Sequence, residues 1–296
     1  MTVRIGTRGS KLALAQTATV CKKLTALGIE VEQKIISTQG DEVTGVPLHE
    51  IGKQGVFVRA LDDAILNNEI DCAVHSMKDI PAIRPSGLFT SAILTRDSPA
   101  DYLAYSGSMS AIKIIGTSST RRKAQLLRHD PGLTINDLRG NVDTRLKKLG
   151  EGQYNAIVLA EAGLARLGIR IPGDRLPPEK FVPSPNQGTI AVVSRADPSL
   201  MEVLSAIDHP LTRKDVAIER AVMEQVGAGC FTPMGIYCKG GHLIAEVLSL
   251  DGKRTERIEK NVETIDEARA EGDALRARAH DLIAEAYQTL GISYDR

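Results

Sequence analysis

The chain has 296 residues, in which 37 Lys plus Arg balance 37 Asp plus Glu; only 3% of residues are aromatic and Trp is absent. Zero net charge leaves no global field to draw nucleic acid or a membrane surface, and so few aromatics argue against a base-stacking platform. Any charged ligand must be met by local clusters, on a chain long enough for two or three domains.

The predicted elements alternate from the start. TVRIGT reads as a strand, KLALAQTATVCKKLTALG as a helix with Ala13, Val20, Leu24 and Leu27 on one face, and EVEQKIIST as a strand. VFVRALDDAILNNE is amphipathic, with Phe57, Ala60, Leu61, Ala64 and Ile65 at helical spacing. IDCAVHSM is mostly apolar and suits a central strand covered on both faces. After a break near TRDSPAD (95–101) a second set follows: KIIGTSS, LTIND and NAIVLAEAG as strands, TRRKAQLLRH and NVDTRLKKLGEG as helices. This order predicts βαβ units. The proline-rich stretch 171–188 reads as a hinge or return crossing, and TIAVVSR as a strand that rejoins the first unit.

Past the helix TRKDVAIERAVMEQVG the style changes. GIYCKGGHLIAEVLSLDGKRTERIEKNV reads as antiparallel hairpins turning at Asp251-Gly252, and TIDEARAEGDALRARAHDLIAEAYQTL as one closing helix. The fold class expected is α/β: two doubly wound lobes plus a small α+β C-terminal domain. The expected boundaries are 1–94 with 188–208 for domain 1, 95–187 for domain 2, and 209–296 for domain 3.

No apolar run approaches the roughly 20 residues of a membrane span. MTVRIGTRGS opens on a strand-like run without a signal-peptide hydrophobic region, so a cytoplasmic protein is expected. The four cysteines, Cys21, Cys72, Cys230 and Cys238, match neither a disulfide framework nor a zinc site, and no HExxH pair occurs, so no metal is expected. Cys21 and Cys72 fall in helix and strand patterns as packed apolar groups, and Cys238 lies in an apparent strand. Cys230 differs: it sits on a glycine-flanked loop, Gly227-Ala228-Gly229-Cys230.

Several strand ends run into helix starts with basic or hydroxyl residues: Thr7-Arg8-Gly9-Ser10, Gly116 to Arg122, and Leu138-Arg139-Gly140-Asn141 with Arg145 a turn further on. Free N–H groups at helix starts favour anions, and guanidinium forks grip carboxylates in pairs. Arg8, Arg121, Arg122, Arg139 and Arg145 could therefore converge on one polyanion, although each taken singly also reads as a solvated helix charge. Neither Walker A nor GxGxxG is present, so a nucleotide is not the obvious anion. Asp79, after HSMK, is positioned either for acid–base or cation-stabilising work or as a turn residue bonding its own backbone.

In order, TRGSKLALAQ, IGKQGVFVRALDDAI, HSMKDIP, GTSSTRR, LRGNVDTRL, NAIVLAEAGLARLG, PNQG and GAGCFTPMG resemble the porphobilinogen deaminase (hydroxymethylbilane synthase) family over essentially the whole chain. The resemblance implies two lobes like those of periplasmic binding proteins with a cleft between them, a third small domain, a monomer, and no nucleic-acid or membrane partner. It implies porphobilinogen as substrate and a self-made dipyrromethane cofactor held by a thioether to Cys230. Lys78, Ser119, Arg121 and Arg122 would hold cofactor carboxylates. Arg8, Ser10, Gln16, Arg139, Arg145 and Arg166 would face substrate or growing chain, and Asp79 would stabilise positive charge as ammonia leaves. Two positions depart from the family pattern: the loop lysine is displaced to Lys53, and Asn186 replaces the glycine before Gln187. A non-catalytic two-lobed anion-binding protein is the alternative; it would need no Cys230.

Overall fold

The computed structural model describes residues 2–37, 56–81, 84–227 and 231–291; nothing is stated of the side chains of residues 56 and 57. Its elements in chain order are β1 (Thr2–Thr7), α1 (Lys11–Ala26), β2 (Glu30–Ile35), α2 (Val56–Leu66), β3 (Cys72–Ser76), β4 (Leu88–Ile93) and β5 (Asp101–Tyr105). There follow β6 (Ile114–Gly116), α3 (Thr120–His129), β7 (Thr134–Asn136), α4 (Val142–Gly150), β8 (Ala156–Ala160), α5 (Glu161–Arg166) and β9 (Gly173–Leu176). The chain continues with β10 (Ile190–Arg195), α6 (Pro198–Ser205), α7 (Pro210–Val226), β11 (Met234–Lys239), β12 (His242–Leu248), β13 (Thr255–Asn261), α8 (Ile265–Arg278) and α9 (His280–Thr289).

The chain divides into two compact units: Met1–Asp97 with Arg166–Gly168 and Gly188–Arg213, and Ser98–Ala165 with Ile169–Gln187 and Lys214–Arg296. The first unit holds a five-stranded sheet ordered β2-β1-β3-β10-β4. β1 runs parallel to β2 and β3, while β10 returns antiparallel between β3 and β4. Val20 and Leu24 of α1 close over Val3, Ile5, Cys72 and Val74 on one face. On the other face Gly6 is required: a Cβ there would lie 2.2 Å from Ile70 Cδ1 and 3.1 Å from Leu61 Cδ2.

The second unit holds a five-stranded sheet ordered β7-β6-β8-β5-β9, again a parallel trio followed by antiparallel neighbours, and a separate three-stranded antiparallel sheet, β11-β12-β13. The small sheet packs Ile236, Ala245, Val247 and Ile258 against Val222 of α7 and Leu275 and Ile283 of α8 and α9. Both α/β sheets and the small third one agree with the expected fold class, and TIAVVSR does rejoin the first sheet as β10.

Three readings need correction. Leu27 does not join the buried face of α1: it is 50% exposed, because the helix ends at Ala26 and Gly28 turns the chain away at φ 78°. The last helix is two, capped at Ala279, whose side chain is fully buried. In NAIVLAEAG the strand stops at Ala160 and Glu161 starts α5. β4, β5 and β9 were not foreseen. Among the described residues no helix is long and apolar enough to cross a membrane.

Candidate functional site

In the first unit the carboxyl ends of β1 and β3 build one recess. β1 ends at Thr7, and Ser10 caps α1 by accepting from the Ala13 N–H at 3.3 Å. β3 ends at Ser76 and continues into a single 3₁₀ turn, Met77–Asp79. Gln16, on the inner face of α1 and 3% exposed, donates from Nε2 to Ser76 Oγ at 2.7 Å and so ties the two strand ends. Arg8, Ser10, Gln16, His75, Ser76 and Asp79 all line the recess. Four residues chosen from sequence thus face one space, with Asp79 exposed at its rim and Lys78 exposed beside it.

His75 escaped sequence reading. It is buried on β3, and its Nε2 has no hydrogen-bond partner. Burial, with Arg84 and Arg8 nearby, pushes its pKa down to about 3, so the imidazole is neutral. Arg84 pairs with the buried Asp62 of α2.

In the second unit two loops meet. Ser118 Oγ accepts from Leu138 N–H at 3.0 Å and donates to Leu138 C=O at 3.1 Å, which joins GTSS to LRGN. Ser119 caps α3, accepting from the Arg122 N–H at 3.4 Å. Arg121 and Arg122 turn inward rather than out: their Nη2 groups reach the two oxygens of fully buried Asp101 at 2.8 and 2.6 Å. Arg121 also donates to Gln125 and to Val182 C=O, and Arg122 to Val158 C=O. Gln187, from PNQG, donates to Asp101 at 2.9 Å. Burial alone would raise the Asp101 carboxyl, but the two guanidiniums hold it well below the usual carboxylate range.

Arg145 of α4 donates from Nε to Gly140 C=O at 2.7 Å and has no carboxylate partner among the described residues. Burial, then the charge of Arg122, lowers its pKa to about 10. Arg139, half-buried, follows Leu138 on the same loop. Arg166 belongs to the first unit, paired with Asp97 at 2.8 Å and donating to Gly188 C=O at 2.7 Å. Asn186 takes the bend that sequence allowed it, at φ 63°, and its N–H donates to buried Glu219 at 2.5 Å. Cys230 and Lys53 lie outside the described residues. Cys238 is buried in β11, where burial raises its thiol pKa.

Guanidiniums and cap hydroxyls at strand ends in each unit make this an α/β protein suited to anionic small ligands. Comparison with known proteins sharpens the class. The family description "Porphobilinogen deaminase, dipyromethane cofactor binding domain" matches residues 3–202, and "Porphobilinogen deaminase, C-terminal domain" matches 214–281. A Methanosarcina acetivorans protein named "Probable porphobilinogen deaminase" is 53% identical over 86% of this chain and 84% of its own. One from Archaeoglobus fulgidus with the same name is 41% identical over 93% and 98%. The porphobilinogen deaminase of Rubrobacter xylanophilus is 42% identical over 80% of each. Among solved structures, the periplasmic VFT2 domain of Bordetella pertussis BvgS covers 70% of this chain at 15% identity with a TM-score of 0.43. The chain belongs to the porphobilinogen deaminase family, and is an enzyme of tetrapyrrole synthesis.

Proposed function

We propose that the chain is a transferase that deaminates porphobilinogen, joins four units head to tail, and releases linear hydroxymethylbilane to water, working as a cytoplasmic monomer. One observation carries the reading: Asp79 shares a recess with Arg8, Ser10 and Gln16, so a carboxylate and carboxylate-gripping donors face the same small space. Porphobilinogen bears an acetate and a propionate, while its reacting carbon turns cationic as ammonia leaves. The site must oppose both signs within a few ångströms. Arg8 and Ser10 take substrate carboxylates; Asp79 accepts the pyrrole N–H and stabilises the developing cation.

The same proposal includes a dipyrromethane on Cys230, held by a thioether; when bound it supplies the nucleophilic pyrrole carbon that primes the chain. A stable C–S bond needs no resolving cysteine. The second unit fits a carboxylate-bearing group: buried Arg122 keeps an Nε with no partner, and desolvated Arg145 has no acidic neighbour among the described residues. Lys78, Ser119, Arg121 and Arg122 are assigned to the cofactor's carboxylates, and Arg139, Arg145 and Arg166 to substrate or growing chain. Arg166 brings Asp97, about half exposed, as its resting partner. The three-domain division stated above belongs to this reading.

Purified protein given porphobilinogen should release four ammonia molecules for each linear tetrapyrrole. Binding of porphobilinogen with no ammonia released would instead favour a non-catalytic anion binder.

A further inference from the structure

We propose that Asp101 is the positioning residue for the paired arginines, its buried carboxylate setting the direction in which Arg121 and Arg122 present their guanidiniums. The inference rests on the reading that this pair holds ligand carboxylates. Both arginines occupy the first turn of α3, where two adjacent long cations would ordinarily extend into water and repel each other. Here they are 5% and 7% exposed. What turns them inward is the first residue of β5, an element on a different part of the sheet.

The carboxylate divides its oxygens. Oδ2 accepts from Arg121 Nη2 at 2.8 Å; Oδ1 accepts from Arg122 Nη2 at 2.6 Å and from Gln187 Nε2 at 2.9 Å. Each guanidinium is then pinned at a second point, Arg121 Nη1 on Val182 C=O and Arg122 Nη1 on Val158 C=O, both at 2.9 Å. Two points fix a planar group's orientation. Arg121 is also braced by Gln125 at 3.1 Å. Arg122 is left with an unspent donor at Nε, and its charge is felt by Arg145. Asp101 therefore acts through Arg122: it holds one guanidinium in a fixed pose with a donor unsatisfied, the state in which a ligand carboxylate gains most from binding.

The test replaces Asp101 by Asn, close in shape but uncharged, in the full chain. With folding confirmed by circular dichroism, the rate at which the chain acquires its mass adduct from porphobilinogen should fall about tenfold, with KM and kcat of the loaded fraction changed less than about threefold. In a background carrying both Arg121→Met and Arg122→Met the same change should slow loading by less than about a further twofold, because both residues it positions are gone. A lowered melting temperature with wild-type loading, or the same loading penalty in both backgrounds, would overturn the proposal. Should Asp101→Asn fail to fold, Gln187→Met decides: it removes the Gln187 Nε2 bonds to Asp101 Oδ1, Pro99 C=O and Ala100 C=O and leaves both ion pairs. Loading slowed about threefold supports the positioning role, and unchanged loading overturns it. A wild-type protein without an adduct would sink the Cys230 assignment, while a crystal structure of Asp101→Asn would still judge Asp101: guanidiniums turned from their wild-type direction support the proposal, and unmoved ones overturn it.

Discussion

His75 makes the first unit sensitive to acid. Its ring is buried on β3 with an unpartnered Nε2, between Arg84 and Arg8, and its pKa falls from the ordinary 6.5 to about 3. The unfolded chain therefore binds a proton between these values that the folded chain refuses, and stability must rise with pH in that window. The stabilisation is complete above the unfolded pKa and is lost as pH drops through 6.5 toward 3. At pH 5 the unfolded histidine is almost fully protonated and the folded one is not, which costs about 2 kcal/mol relative to pH 7.5. Asp62, paired with Arg84, also titrates beside it; burial raises its pKa, which gives a slope of opposite sign above the ordinary carboxylate value. Urea unfolding followed by circular dichroism, at pH 7.5 and pH 5, for wild type and His75→Gln, separates the two because Asp62 is common to both proteins. The wild type should lose about 2 kcal/mol more than the variant. Equal losses would show that His75 is protonated in the fold and that the reasoning is wrong.

Other consequences can be measured directly. Asp79→Asn should retain a bound adduct by intact mass yet lose about 3 kcal/mol of transition-state stabilisation, roughly two decades in kcat; near-wild-type turnover would remove Asp79 from the chemistry. Leu138→Ala, at a fully buried site that packs with Leu149, Tyr154 and Ile157, should cost about 3 kcal/mol in denaturant unfolding. Glu246→Leu takes a fully buried carboxylate from Arg128, Arg257 and Gln125; with both arginines partly hydrated the loss should be about 2 kcal/mol, and a more stable variant would contradict the pairing.

Local pattern made most of the fold legible. α3 and β3 follow from helical and continuous apolar runs, and Arg8 and Asp79 could be placed at strand ends by pattern, while the roles given to Ser10 and Gln16 came only through the family resemblance. Sequence failed where partners are distant. Nothing in TRDSPAD announces that Asp101 will meet two arginines twenty and twenty-one positions later, because a buried ion pair leaves no periodic trace. The break at Ala279 was hidden because alanine favours helix, so nothing in the local sequence marks it. His75 was passed over because a single histidine in an apolar strand carries no spacing signal.

The central claim is that Cys230 carries the primer on which product is built. Intact mass of the chain, made in cells that supply porphobilinogen, tests it most directly beside Cys230→Ser. The wild type should gain the mass of two pyrrole units and the variant none, with turnover only in the first. A wild-type chain of unmodified mass that makes tetrapyrrole at full rate would contradict it.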